Sequence, residues 1–375
     1  MDSITQIDKE AFDGLMLNEY PFMKYEFFAL LESSHSVGGE SGWKVNHLLI
    51  LDKNQLIGFM PFFIKQHSYG EYVFDFQWAK AYQDNGLNYY PKAVSAIPFT
   101  PVIGPRVLIH PDYDLDQIAP ILIQTLMVEA ENRGLSSWHL LFPEPMQQQI
   151  ICNSHEQLLR QKGVQFHWYN QGYKTFADFL AKLNKKRRKE IRRERHKIQE
   201  NTINFSVKEG SDISQSDWED FYLFYQMTYM KRSGHGGYLT PTFFSQLSEI
   251  MPQNIVLIMA ESHQQNIAAA LFFKDNHTLY GRYWGTTQFT HHLHFETCYY
   301  QGIEYCIKNN LEHFDAGAQG EHKIQRGFIP VKTYSSHWIA HEDFRDAIGH
   351  HLNTENQYTE RYFQAAKDHS PYKMD

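Results

Sequence analysis

An internal repeat constrains the fold of this chain more than any other feature of its sequence. Residues 47–65 and 256–274 share one pattern, two apolar runs joined by a short polar turn, and lie about 210 residues apart. At nearly the same separation, the shorter matches are 69–72 (YGEY) with 280–283 (YGRY) and the tyrosine pair 89–90 with the pair 299–300. Self-similarity at a fixed offset indicates duplicated supersecondary units. We therefore expect two copies of one α/β unit.

Each copy is predicted to run helix, three antiparallel strands, helix and strand. In the first copy, the strands are the hairpin 47–65 and the run 69–76, and a helix over 115–133 leads to a short strand at 138–142. This order suits a mixed, mainly antiparallel sheet with helices on both faces. The length of 375 residues has room for two such domains. The expected divisions are a first unit at 1–178, a basic linker helix at 179–200, a second unit at 201–345 and a C-terminal helix and tail at 346–375.

Positive charge is concentrated in the segment 182–197. It holds ten Lys or Arg residues against Glu190 and Glu194, although the whole chain has a net charge of −8. Good helix formers and spaced apolar residues predict one helix with an apolar stripe. A solvated linker helix and an arm that binds tRNA, a phosphorylated carrier or an anionic lipid surface are both open. The predicted anion-binding residues are Lys185, Lys186, Arg187, Arg188, Lys189, Arg192 and Arg193.

The apolar runs and the cysteines indicate where the protein works. Each apolar run is shorter than the roughly 18 residues of a membrane span. The first residues lack the basic and apolar regions of an export signal. Cys152, Cys298 and Cys306 have neither disulfide nor metal spacing. These features predict a cytoplasmic protein in a reducing compartment.

Residues 280–328 concentrate the side chains that are suited to chemistry. A predicted strand leads into a loop with three histidines, and a predicted helix over 295–309 and a short strand at 313–316 follow. The chain then enters a second loop with glycines and titratable residues up to Arg326. Loops at the ends of buried strands are where polar groups converge on a ligand. We expect the active site, if there is one, in these two loops.

Several long strings resemble the FemAB-like family of predicted N-acyltransferases. They are SVGGESGW at 36–43, PFTPVIGPR at 98–106, HFETCYYQGIEYCI at 294–307 and AGAQGEHKIQRGF at 316–328. The resemblance covers almost the whole chain. It implies an α/β fold of the α+β type, built from two tandem GNAT-like units with mixed, mainly antiparallel sheets flanked by helices. It also implies a bacterial protein of peptidoglycan biosynthesis that moves an acyl or aminoacyl group onto an amine.

The resemblance leaves the acyl donor open between aminoacyl-tRNA, a carrier thioester and acyl-coenzyme A. Single acetyltransferases of the GNAT fold hold the pyrophosphate of coenzyme A in a glycine-rich loop before the central helix. At that place this chain has GTTQFTHHLHFE, whose only glycine is Gly285. This departure favours tRNA or a carrier as the donor. The alternative from another class is a non-catalytic module that recognises a cell-wall precursor or RNA.

Acyl transfer to an amine needs a base for the amine proton and donors for the oxyanion. His322 with Glu321 is the first candidate for the base, because the pair lies in a glycine-flanked loop after a predicted buried strand. An exposed loop pair is the alternative. His294 and Glu296 are further catalytic candidates, although Glu296 would serve equally as a helix cap.

The remaining site predictions concern substrate contacts and metals. The predicted substrate-binding residues are Arg282, Trp284, Gln319, Lys323 and Arg326 in the second unit, with Asp75, Trp78 and Arg106 as analogues in the first. No metal site is predicted, because no Asp or Cys completes a set with His292, His294 and His322.

Overall fold

The structure is a computed structural model, and it describes residues 1–16, 19–318 and 320–373. The strands are β1 (Trp43–Val45), β2 (Leu48–Asp52), β3 (Gln55–Met60), β4 (Phe63–Lys65), β5 (Lys92–Ser95), β6 (Leu108–Ile109), β7 (Ser137–Leu141), β8 (Leu159–Tyr169), β9 (Asn204–Glu209), β10 (Ile255–Ser262), β11 (Gln265–Lys274), β12 (Thr278–Thr286), β13 (His313–Asp315) and β14 (Ile329–Ile339).

The α-helices are α1 (Lys9–Asp13), α2 (Tyr25–Ser33), α3 (Phe76–Asp84), α4 (Leu115–Asn132), α5 (Pro145–Asn153), α6 (Phe176–Lys182), α7 (Lys185–Glu200), α8 (Gln215–Ser233), α9 (Pro241–Ile250), α10 (Leu293–Phe295), α11 (Gln301–Lys308) and α12 (Glu342–Asp368). A π-helical turn, Glu296–Tyr300, joins α10 to α11, and a 3-10 helix, Glu321–Arg326, follows β13. Within the described ranges, no helix has both the length and the apolar character that crossing a membrane requires.

The first compact unit consists of residues 1–164 and 332–363. Its main sheet has the order β1-β4-β5-β7-β14, in which β5 and β7 are parallel and the other neighbours are antiparallel. β2, β3 and β6 form a second, smaller sheet. Alternation along β7 and β14 separates two cores. Trp138 packs with α4 and α5, whereas Ile339 packs with α3 and α12.

The second compact unit consists of residues 165–331 and 364–375. Its sheet has the order β8-β13-β12-β11-β10-β9, in which β12 and β13 are parallel and the other neighbours are antiparallel. Tyr283 of β12 packs against Tyr225 of α8 and Phe244 of α9. On the other face, Ala268 of β11 packs with Ile198 of α7 and with α10. The predicted fold class, two GNAT-like units with mainly antiparallel sheets flanked by helices, is confirmed.

Each unit contains a strand from the other half of the sequence. β14, which is late in the chain, pairs with β7 in the first unit, and β8, from the first half, pairs with β13 in the second unit. The compact units are therefore interleaved in sequence. The predicted divisions at 1–178 and 201–345 are contiguous, so they differ from these compact units. As boundaries of the two duplicated sequence segments, they stay a prediction.

One part of the predicted repeat is wrong in structural terms. Residues 280–283 lie in β12, but 69–72 form a loop in which Gly70 and Tyr72 have positive φ, and α3 begins at Phe76. The next strand along the chain in the first unit is β5, about 20 residues after the predicted strand. Similarly, Tyr89 precedes β5, whereas Tyr299 lies in a π-helical turn. The hairpin pairing of β2 with β3 and β10 with β11 carries the true repeat.

The predicted single basic helix is two helices. α6 ends before Leu183, whose ψ of 153° leaves the helical region. The Asn184 side chain then caps α7 by accepting a hydrogen bond from the Arg187 backbone at 3.0 Å. Asparagine is among the best N-cap residues because its carbonyl satisfies an unpaired helix N–H. α7 belongs to the second compact unit.

Candidate functional site

The candidate site lies where β12 and β13 stop pairing. The last pair is Tyr280 with Asp315, after which β12 continues to Thr286 and β13 ends. Ala316 lies against Gly281, and the chain turns at Gly317 with a φ of 79°. The loop therefore starts beside β12, and further along it His322 lies against Tyr299 of the π-helical turn.

His322 is a half-buried histidine that is held neutral. Its Nε2 lies 2.9 Å from the Tyr299 hydroxyl, and its ring packs against Phe295 with centroids 5.4 Å apart. Burial, together with the charges of Arg326 and Lys323, lowers the pKa of His322 to about 4. Burial also raises the pKa of Tyr299. We assign the hydroxyl as the donor, because a protonated phenol beside a neutral imidazole has its hydrogen to give.

Lys323 is a fully buried cation in the same loop. Its ammonium donates to the Gly317 carbonyl. Burial lowers the pKa of Lys323 to about 8, and the neighbouring Asp315 carboxylate opposes the shift. An ammonium has three N–H donors, and this one makes a single hydrogen bond within the described residues. Lys323 therefore retains donors for a further acceptor.

Arg326 is buried and fixed by Glu194. Its guanidinium stacks 3.4 Å from the ring centroid of Phe295 and donates at 2.7 Å to both Glu194 Oε1 and the His322 carbonyl. Glu194 also accepts from the Tyr300 hydroxyl. Sequence reasoning missed Glu194 as a site residue. The signal was its place on the apolar stripe of α7, between Ile191 and Ile198, both of which are buried.

Glu296 is buried but already paired. It accepts from Arg195 Nη2 at 2.8 Å and from Gln301 at 2.8 Å, and Arg195 also contacts Glu304 at 2.9 Å. Burial raises the pKa of Glu296 while the Arg195 charge opposes this. A carboxylate with these partners connects the π-helical turn to α7. Because it is already paired, these surroundings do not favour the predicted role of Glu296 as a general base.

His294 packs among aromatic rings, and its ring nitrogens have no hydrogen-bond partner among the described residues. Its ring centroid is 5.3 Å from Trp284 and 5.2 Å from Tyr299. Burial and the nearby His322 lower the pKa of His294 to about 3. It is thus neutral near pH 7 and helps to define the wall of the site together with Trp284.

Of the other residues predicted for the site in the second unit, only some lie near His322 and Lys323. Glu321 is exposed, so the predicted Glu321–His322 pair is divided between solvent and site. Arg282 lies next to Gly317, and its charge lowers the pKa of Lys323. Gln319 lies outside the described residues.

The predicted residues of the first unit have structural surroundings. Arg106 is fully buried and donates to the backbone carbonyls of Leu141 at 2.8 Å, Pro105 at 3.0 Å and Val102. Because its guanidinium is hydrogen-bonded to these carbonyls and buried, Arg106 is not favoured as a substrate contact. Trp78 packs edge-on to His337 at 5.0 Å within a core cluster.

Asp75 belongs to a buried polar network that the sequence did not disclose. It accepts from Lys92 and, at 2.7 Å, from the Tyr89 hydroxyl, which in turn lies 3.0 Å from His139. His139 Nδ1 lies 2.7 Å from His337 Nδ1. Lys92 was missed because it stands alone between a proline and an apolar run, without a motif around it.

The predicted anion-binding residues line the outside of α7. Lys185, Lys186, Lys189, Arg192 and Arg193 are exposed, whereas Arg187 and Arg188 are half-buried. Arg187 forms an ion pair with Glu190 at 2.7 Å. The cationic surface is therefore available to an anionic partner, and anion binding by these residues stays a prediction.

Solved structures with this arrangement support the fold. FemX superposes with a TM-score of 0.55 at 9% identity, covering 92% of this chain and 98% of that one. A conserved protein of unknown function from Bacteroides thetaiotaomicron gives 0.52 at 9% identity, with coverages of 90% and 97%. L-PGS from Bacillus licheniformis gives 0.50 at 9% identity, with coverages of 88% and 95%. Identities this low establish similarity of fold alone.

Sequence comparison reaches further than these structures. Among curated proteins, none matches the chain. The model of the FemAB-like family, described as peptidoglycan biosynthesis/recognition, matches residues 3–374. Because that match spans nearly the entire sequence, the chain belongs to the FemAB-like family.

Proposed function

We propose that this protein is an N-acyltransferase that moves an acyl or aminoacyl group from an ester or thioester donor onto an amine, with its reacting centre at Lys323 and His322. The observation that carries the proposal is the buried Lys323 ammonium beside the neutral His322–Tyr299 pair. The family description, peptidoglycan biosynthesis/recognition, supports an acceptor amine on a cell-wall precursor.

The cations of the loop suit the transition state of acyl transfer. When an amine attacks an ester carbonyl, the carbonyl oxygen gains negative charge in the tetrahedral intermediate. Fixed positive groups in a water-poor site stabilise that charge without reorganising during the reaction. Lys323 retains free N–H donors for this oxygen, and Arg326 is held rigidly by Glu194 and Phe295. Lys323 therefore takes the part of oxyanion donor.

His322 fits a positioning part better than that of a general base. Because the pKa of His322 is about 4, transfer of a proton from the attacking amine to its ring costs free energy near neutral pH. The net reaction moves one proton from the amine nitrogen to the leaving oxygen or sulfur. We infer that this proton passes directly or through water, while His322 and Tyr299 orient the reacting groups by hydrogen bonds.

Gly285 argues for a donor other than coenzyme A bound in the usual GNAT manner. A Cβ at Gly285 would lie 2.1 Å from the carbonyl carbon of Phe224 in α8. The glycine therefore permits close packing of β12 against α8, and it is not part of a phosphate-binding loop. Aminoacyl-tRNA or a carrier thioester is the proposed donor, and acyl-coenzyme A is the alternative.

The test follows label from a mixture of aminoacyl-tRNAs charged with radioactive amino acids to an amine-bearing cell-wall precursor, with acetyl-coenzyme A as a second donor arm. Removing one oxyanion donor typically lowers kcat by about 100-fold to 1,000-fold. We expect that loss for Lys323→Met. Lys308→Met, at an exposed position of α11, is the matched control and keeps full activity.

Two results would contradict the proposal. Precursor binding without any transfer, unchanged by Lys323→Met, identifies a recognition module. Transfer that survives Lys323→Met at the rate of the control places the chemistry elsewhere.

A further inference from the structure

Phe289 is an apolar side chain that the fold leaves in water. It is 77% exposed, in the loop between β12 and α10. Its ring contacts only His291 among the described aromatic residues, with centroids 5.0 Å apart. His291 is exposed as well. A large apolar ring at a loop tip gains stability when another apolar phase covers it.

A row of cations runs along one flank of α7. Its members are Lys186, Lys189, Arg193 and Lys197, all of them exposed. They are spaced by three and then four residues, which places them along one side of a helix. At a rise of about 1.5 Å per residue, the row is roughly 16 Å long. The opposite side of α7 is buried through Ile191 and Ile198.

The Phe289 loop contacts α7 close to the Lys197 end of this row. His292, three residues after Phe289, has its Nδ1 3.8 Å from Glu194 Oε1 of the helix. The pKa of His292 is lowered by its partial burial and further by the charge of Lys197, at the end of the row. Glu194 lies three residues, about one helical turn, before Lys197, so the Phe289 loop and the Lys197 end of the row are neighbours on the second unit.

We propose that Phe289 and the cationic row of α7 form a surface that docks reversibly on a membrane rich in anionic phospholipid headgroups. The row attracts the negative headgroup layer, and the phenyl ring enters the boundary between headgroups and acyl chains. The apolar stripe of α7 is already used inside the protein, so α7 contributes charge alone. One ring plus a few cations gives weak binding that depends on salt. This inference does not rest on the acyltransferase activity.

Single-stranded nucleic acid is the competing occupant, since it also pairs phosphates with aromatic rings. A strand that is bound by stacking needs a series of aromatic platforms along its path. On α7 and the Phe289 loop, the exposed rings among the described residues are Phe289, His291 and His196, and His196 lies 3.3 Å from the Glu200 carboxylate. A linear row of cations with a single apolar tip fits a planar anionic surface better.

The experiment measures partitioning of the full chain into vesicles by co-sedimentation. Vesicles of phosphatidylcholine alone are compared with vesicles that contain one quarter phosphatidylglycerol. The wild-type protein is expected to bind the mixed vesicles and to be released by salt. Phe289→Ala is expected to weaken binding about ten-fold or more, the value of one buried aromatic ring. Each charge removed from the row costs roughly five-fold.

Phe74→Ala is the matched control, because Phe74 is also exposed, at 63%, but lies in the first unit. It is expected to bind like the wild type. The proposal is overturned by equal binding to both vesicle types, by full binding of Phe289→Ala, or by an equal loss in Phe74→Ala. It is also overturned if an oligouridine ligand binds in a Phe289-dependent manner while the vesicles do not.

Discussion

Lys65 and Lys92 lie directly opposite each other on β4 and β5, and both side chains are fully buried. Like charges in such a pair repel each other. Lys92 is balanced, because its ammonium donates to Glu71 at 2.7 Å and also to Asp75. Lys65 lies 3.7 Å from the ring centroid of Trp43 and 3.9 Å from Glu71, and burial lowers its pKa to about 7.

The first prediction concerns these two lysines. Lys92→Met leaves the carboxylates of Glu71 and Asp75 buried without their shared cation, which typically costs about 3–5 kcal/mol of unfolding free energy. Lys65→Met removes a cation that already loses its proton readily, so its cost is smaller. Urea denaturation of both variants measures the difference. An equal cost for the two substitutions would show that Lys92 does not hold this network together.

Buried histidine pairs predict how stability depends on pH. His139 and His337 are in contact in the first unit, and His167 Nδ1 lies 2.8 Å from His313 Nε2 in the second. Burial lowers the pKa of all four rings, to about 3 for His337 and about 4 for His313. The unfolded chain takes up these protons first, near pH 6.5.

Stability is therefore fully present above about pH 6.5 and falls as the pH drops from about 6.5 toward 3, the folded-state pKa of His337. Each pKa unit of depression contributes about 1.4 kcal/mol. Denaturation midpoints between pH 4 and 8 measure this slope, and His337→Gln should make it shallower. His351→Gln, at an exposed position of α12, should leave the slope unchanged. An identical slope in His337→Gln and wild type would contradict the assignment.

Gly285 gives a third prediction. Gly285→Ala forces a methyl group to within 2.1 Å of the α8 backbone at Phe224, and backbone cannot rotate away. Overpacking of this kind costs about 1–3 kcal/mol or more. The control is Gly236→Ala, where the nearest atom is a flexible Gln226 side chain at 3.5 Å. Thermal unfolding of the two variants should separate them, and equal midpoints would mean that β12 and α8 are not in close contact.

The ionisation of Lys323 predicts the alkaline limb of the rate profile. The pKa of Lys323 is about 8, so the oxyanion donor loses its charge as the pH rises past that value. In the assay proposed above, kcat/KM should therefore fall above about pH 8. Lys323→Arg, which keeps a charge at high pH, should move this limb upward even if its overall rate is lower. A limb that stays in place would assign it to another group.

The sequence predicted the architecture well where local pattern and global fold agree. The alternation and the polar turns at 47–65 and 256–274 predicted two hairpins, and both formed. The pattern failed at 69–76, where aromatic residues with high strand propensity lie in a loop, because Gly70 and Tyr72 adopt positive φ there. Tertiary context overrides strand propensity in this way.

The candidate site was predicted in part. His322, Lys323 and Arg326 were singled out and lie together, and their catalytic and binding roles stay predictions. Glu194 and Tyr299 were not. Glu194 contacts Tyr300 and Arg326 across more than 100 positions, and Tyr299 contacts His322 across 23, so neither set of contacts follows a helix or strand spacing. Glu296 was a candidate base, with a helix cap as the alternative, but its carboxylate accepts hydrogen bonds from Arg195, a contact that no spacing rule identifies.

The interleaving of β8 and β14 has a consequence for how the protein is made. A ribosome that has synthesised the first 178 residues has released β7 and its parallel neighbour β5, but not its antiparallel neighbour β14, which ends at Ile339. The first unit cannot complete its sheet until β14 has emerged. The first half of the sequence therefore lacks one strand of the first unit's sheet, and that unit is completed only late in translation.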